Sequence, residues 1–237
     1  MKHSRKKQLF PLVLFLSVFM TSTTAFADLY WEFKQVSKGV EGQPDATRIQ
    51  KNYYTDRASR VETGSGAVMI MDLDSMTIYQ LDPRSKTYIK SDMRKMGAPE
   101  QMPGMSAEQR KKMIENMAGS MKVTPTDETK TIAGYNCRKY NVGFMNSSNE
   151  YWLSKDVKGY DELKRIGAKM AMSFEANPVL KQMNIAGIMD KLDGFPVQII
   201  THAGRGTMTS TLIKIEQKPL PAELFQVPKG YKVMKRE

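Results

Sequence analysis

The stretch Leu29-Tyr30-Trp31-Glu32-Phe33-Lys34 sets Leu29, Trp31 and Phe33 against Tyr30, Glu32 and Lys34 with a period of two, the mark of an extended strand whose faces differ. The same period returns at Val68-Met69-Ile70-Met71-Asp72. Between and after these runs stand turn signals: Gly42-Gln43-Pro44-Asp45, Gly64-Ser65-Gly66, Asp72 to Ser75 and Asp82-Pro83-Arg84-Ser85. Turns recurring at roughly ten-residue spacing predict an antiparallel meander over Asp28 to Asp92, because parallel strands need crossovers of about a dozen residues or more.

The next segment changes character. Met93 to Met121 holds seven of the 19 methionines. Gly97, Pro99, Pro103 and Gly104 deny its first half a regular helix. In its second half Ser106 and Gln109 form a capping box, and Met113, Ile114, Met117, Ala118 and Met121 make one apolar stripe, so an amphipathic helix is expected to lie on a hydrophobic surface. Strand patterns resume from Lys122 through Thr131 to Val142 and at Glu150 to Leu153. Helical spacing follows in Tyr160, Leu163, Ile166, Gly167, Met170 and Phe174, then again after Asn177, which suits a cap, with Pro178 at the first helical position and Leu180, Met183 and Ile188 as apolar positions. Phe195 to His202 and Thr207 to Gln217 flank Ala203-Gly204-Arg205-Gly206, a hairpin signal. The tail Leu220 to Met234 is expected to pack along the sheet. Residues 28–237 read as a single β-rich domain with a Met-rich helical insertion at about 93–121 and helices at about 160–190.

The amino terminus reads as an address. Lys2, Arg5, Lys6 and Lys7 precede the apolar run Leu9 to Met20, and Ala25-Phe26-Ala27 supplies the small residues of a cleavage site. Residues 1–27 are therefore expected to be a signal peptide cleaved after Ala27, the run being short for a membrane span of roughly 20 apolar residues. The expected compartment is the periplasm. Cleavage would lower the net charge from +11 to +7, since the leader carries four basic and no acidic side chains. The remaining Lys and Arg are scattered, which excludes nucleic acid as the partner and leaves contact with an anionic membrane surface open.

The order of certain segments carries a resemblance. Tyr54-Thr55-Asp56-Arg57-Ala58-Ser59-Arg60-Val61-Glu62, Tyr79-Gln80-Leu81-Asp82-Pro83-Arg84-Ser85-Lys86-Thr87-Tyr88, Ile132-Ala133-Gly134-Tyr135-Asn136-Cys137-Arg138-Lys139-Tyr140, Tyr151-Trp152-Leu153-Ser154-Lys155-Asp156 and Leu224-Phe225-Gln226-Val227-Pro228-Lys229-Gly230-Tyr231 together resemble an exported bacterial family catalogued as domain of unknown function 4412. That family is similar in outline to the periplasmic lipoprotein carrier and the outer-membrane lipoprotein receptor. The resemblance implies an α+β fold: an antiparallel, strongly curved sheet, a half-barrel like that of the lipoprotein carrier, with helices covering the concave face. It transfers no catalytic residue. The Met-rich insertion and the helices between Lys158 and Leu192 depart from the simplest family pattern.

Composition narrows the chemistry. The chain has one Cys and two His, and after loss of His3 only Cys137 and His202 remain, both in strand patterns. No nucleophile elbow or phosphate loop accompanies them. An enzyme is not expected, and no cofactor is implied. The methionines admit plain packing, a surface for an apolar partner, or Cu(I) binding by Met93, Met96, Met102 and Met105, because soft thioethers select Cu(I). Trp31, Phe33 and Trp152 face either the sheet interior or a ligand cavity. The leading expectation is a monomer that binds a lipid, acyl chain or other hydrophobic partner through Trp31, Phe33, Met113, Met117, Met121 and Trp152. A non-enzymatic envelope interaction protein without a small ligand is the other alternative.

Overall fold

In the computed structural model the described residues are 28–95, 102, 104–144, 147–175 and 177–234. The expected signal peptide, residues 1–27, lies outside them, as does Met96. Twelve strands form a single sheet: β1 Leu29–Lys38, β2 Ala46–Tyr54, β3 Ala58–Glu62, β4 Val68–Asp72, β5 Thr77–Asp82, β6 Thr87–Asp92, β7 Lys122–Ile132, β8 Tyr135–Phe144, β9 Ser147–Ser154, β10 Phe195–Ala203, β11 Gly206–Gln217 and β12 Lys232–Val233. The helices are α1 Ala107–Ser120, α2 Tyr160–Phe174, α3 Pro178–Gln182 and α4 Ile185–Met189.

The strand order is β12-β6-β5-β4-β3-β2-β1-β11-β10-β9-β8-β7, an open, curved sheet. Two antiparallel meanders, β1 to β6 and β7 to β11, are joined where the first strand pairs with β11, Trp31 opposite Ile215 and Phe33 opposite Leu212. Every pair is antiparallel except β12, which runs parallel to β6 because the carboxy-terminal segment returns along the sheet.

Cross-strand partners share a face, so the register sorts the side chains. Trp31, Asn52, Val61, Met69, Gln80 and Ile89 stand in one row, and Tyr30, Tyr53, Arg60, Ile70, Tyr79 and Lys90 stand on the opposite face. The second face is covered by the tail: Phe225 and Tyr231 pack on Val68, Ile70 and Leu81, and Arg60 donates to the Leu224 carbonyl at 3.0 Å. The first face receives α2, whose buried Ile166 joins Leu29, Trp31, Phe33, Phe195, Val197 and Leu212 in the main core. Trp31 meets Phe195 edge-on at 5.5 Å between centroids.

Local signals are realised where expected. The Gln109 amide donates to Ser106 Oγ at 3.1 Å and the Ser106 amide to Gln109 Oε1 at 2.7 Å, which closes the capping box of α1. Asn177 Oδ1 accepts from the Val179 and Leu180 amides at 2.7 and 3.0 Å, and its Nδ2 donates to the Met93 carbonyl at 2.8 Å. One cap thus starts α3 and ties it to the end of the first meander. The stripe of α1 is only partly covered: Ile114 is its one buried residue among those described, while Met113 and Met117 are half-buried.

Candidate functional site

The apolar surface that α2 leaves uncovered is set by its own side chains. The chain enters the helix at Gly159, whose φ of +111° is one that L side chains rarely adopt and where a Cβ would sit 2.9 Å from Leu29 Cδ2. That close approach seats α2 on the Trp31 core. One flank of the helix buries Ile166. The other carries Gly167, Ala168 and Ala171, three small residues that leave space against Tyr151 and Leu153 of β9 and Pro196 of β10. The space is a cavity of about 480 Å³, within the usual range for small-molecule sites.

Its far wall is Met189 of α4 with Leu192. At Gly167 the walls touch, since a Cβ there would lie 2.6 Å from Met189 Cε. At the rim, Asp193 Oδ1 accepts a hydrogen bond from Tyr160 Oη at 3.0 Å, and Asp193 Oδ2 pairs with Lys155 Nζ at 2.5 Å. Chiefly because of the Lys155 ammonium, the Asp193 carboxyl is held below the usual carboxylate range. Burial, reinforced by the bond to Asp193, pushes the Tyr160 hydroxyl up to about 12. The rim thus holds an ionised carboxylate fixed by a cation and a neutral phenol, Lys164 and Asp190 also border the cavity, and the rest of its lining is chiefly apolar.

The residues that frame this site lie within the stretch that is related to other proteins. Residues 43–231 match the family described as a domain of unknown function, DUF4412. The chain belongs to that family. No curated protein matches this DUF4412 chain. Among solved structures it is similar to PNGF-II, at 14% identity and a TM-score of 0.44, over 89% of this chain and 31% of that one. The chain therefore spans about a third of the length of PNGF-II. It is also similar to a LolA superfamily protein from Nitrosomonas europaea (8% identity, TM-score 0.35, covering 85% of this chain and 91% of that one). Lipoprotein LppX from Mycobacterium tuberculosis is matched at 9% identity and a TM-score of 0.34, over 80% and 88% of the two chains. What the DUF4412 cavity can hold has to come from its own residues.

The side chains singled out in the sequence are distributed over several places. Trp31 and Phe33 are buried in the main core, 6.4 Å apart edge to face. Trp152 belongs to the same buried cluster, yet it alternates along β9 with Tyr151 and Leu153, which line the cavity, and so it points to the other face. There Lys130 and Lys139 lie 5.1 and 5.9 Å from its ring. Met113 and Met117 line a separate, more open groove of about 500 Å³ together with Met105, and Met121 is half-buried just beyond α1. Of the four methionines considered for Cu(I), Met93 is buried, Met102 and Met105 are half-buried, and Met96 lies outside the described residues.

Cys137 and His202 are far apart. Arg138, next to Cys137, pairs with Leu153, whereas His202 pairs with Ser148 five residues back along β9, a separation of roughly 20 Å at the rise of a strand. His202 instead contacts Glu150 at 3.1 Å, and burial pushes the Cys137 thiol up, away from the thiolate form that a nucleophile needs. The residues that build the cavity, Gly167, Ala168, Ala171 and Met189, were not among the sequence candidates. Their signal was present: small side chains at i, i+1 and i+4 on a helix whose other flank is large and apolar.

Proposed function

We propose that this chain is an exported, non-enzymatic binding protein that takes the apolar portion of a lipid or acyl chain into the cavity between α2, α4 and the β9–β10 pair. The carrying observation is that cavity itself, about 480 Å³, lined chiefly by apolar side chains and bordered by polar ones. In this reading residues 1–27 are removed after Ala27, residues 28–237 act as one monomeric domain, and α2 covers the concave face of the sheet. The core on Trp31 and Phe33 serves as the rigid floor that positions α2. Burial of an apolar chain is worth about 0.8 kcal/mol per methylene, which is enough for micromolar affinity from a ligand of modest length.

The test is titration of the purified full-length protein with N-phenyl-1-naphthylamine, a neutral probe that fluoresces in apolar surroundings. Saturable binding, reduced by Ala171→Phe, is expected. A protein that folds normally and binds none of the probe overturns the reading.

A further inference from the structure

The wall of the cavity carries a polar atom without a partner. Tyr151 stands on β9 between Tyr140 of β8 and Ile199 of β10, and with Ile188 and Leu192 it packs on the cluster of Val123, Tyr140, Val142 and Leu153. It lines the cavity beside Leu153. Among the described residues its hydroxyl makes no hydrogen bond. Burial alone pushes that hydroxyl up, with no neighbouring charge acting on it, so Tyr151 is a neutral phenol largely withdrawn from water.

The other polar groups of the cavity differ from it. Tyr160 donates to Asp193, and Asp193 is also held by Lys155. Lys164 and Asp190 are exposed at the border and opposite in charge, so together they favour neither sign of ligand. Tyr151 is therefore a donor set in a chiefly apolar wall, and an acceptor brought by the ligand is what satisfies it. An ester carbonyl accepts without bringing a charge. An ionised carboxylate also accepts, but no cation acts on the Tyr151 hydroxyl, so the charge would be buried unpaired. An alkane leaves the hydroxyl as it is.

We infer that the ligand is an uncharged acyl lipid whose ester carbonyl accepts a hydrogen bond from Tyr151 Oη, with its chain beside Gly167, Ala171 and Met189. This rests on the apolar binding proposed above and adds which polar group the ligand carries. Tyr151 is then the residue that distinguishes an acyl ester from a plain hydrocarbon.

The test is displacement of N-phenyl-1-naphthylamine by methyl laurate, tridecane and laurate, from the full-length protein and from its Tyr151→Phe variant. The substitution removes one oxygen and keeps the ring. It is expected to weaken methyl laurate about five-fold, which is what one hydrogen bond in an apolar site contributes, and to leave tridecane unchanged. An equal loss for both ligands means that the residue only shapes the cavity, and no loss for either means that the hydroxyl meets no acceptor. Each of these, with the probe still bound, overturns the inference and leaves apolar binding standing. Laurate displacing the probe at a lower concentration than methyl laurate, and losing more on substitution, overturns the uncharged class. Absence of probe binding removes both readings. An infrared spectrum of bound methyl laurate, isotopically labelled at the carbonyl carbon, needs no variant. Its carbonyl band is expected below that of the same ester in hexane, and an unshifted band overturns the inference even where Tyr151→Phe fails to fold.

Discussion

Gly167 in α2 and Met189 in α4 touch so closely that a Cβ on the glycine would lie 2.6 Å from the methionine methyl. The atom in the way is the far end of a flexible side chain, which can rotate aside into the cavity it borders. Gly167→Ala should therefore change stability by no more than about 1 kcal/mol, the strain being offset by the better helix propensity of alanine. Binding should suffer more than folding. A urea midpoint close to that of the wild type with a weaker probe titration is the expected pair of results, and unchanged probe affinity would show that the cavity does not receive the probe.

Asp193 links three segments at the cavity rim through Lys155 and Tyr160. Its folded-state pKa is lowered, so its stabilisation is fully present above the unfolded value of about 3.9 and is lost as the pH falls through the folded value. Melting temperatures of the wild type and Asp193→Asn should differ by a constant amount from pH 7 down to about 5, and the curves should begin to converge only below about pH 4, as the carboxyl is protonated in the folded state. A difference that keeps its neutral-pH size down to about pH 2 would mean that the ion pair is not its source.

Phe195 is fully buried and meets Trp31 edge-on. Phe195→Ala removes both the burial and the ring contact, which costs about 4 kcal/mol of stability. Guanidinium unfolding followed by tryptophan fluorescence measures it. A loss under about 1.5 kcal/mol would mean that the core collapses around the gap.

Phe225 packs from the tail onto Val68, Ile70 and Leu81, and it is half-buried rather than enclosed. Phe225→Ala should cost about 1–2 kcal/mol, roughly half of a core phenylalanine. Amide exchange should accelerate in β4 and β5 and stay unchanged in β8 and β9. Uniform acceleration across the sheet would instead indicate that the tail stabilises the whole fold cooperatively.

Much of this was legible in the residues one element at a time. The alternation of Leu29, Trp31 and Phe33 marked a strand with a buried face, Ser106 with Gln109 and Asn177 with Pro178 marked helix starts, and Ala203 to Gly206 marked a hairpin. These are local signals, fixed by backbone geometry and by hydrogen bonds spanning a few residues. The site was less legible. Trp152 shares a buried cluster with Trp31, but its neighbours on β9, not Trp152 itself, border the cavity. The methionine stripe of α1 borders another groove altogether.

The sequence by itself determined which side chains share a face of each strand or helix, because periods of 2 and 3.6 are properties of the chain. Tertiary structure alone decided that β1 pairs with β11, that the tail covers the Ile70 face while α2 takes the Trp31 face, and that Gly167, Leu153 and Met189 enclose a space. A cavity is the volume that side chains from distant elements fail to fill. Its existence depends on which surfaces are brought together, and no periodicity within a single element records that.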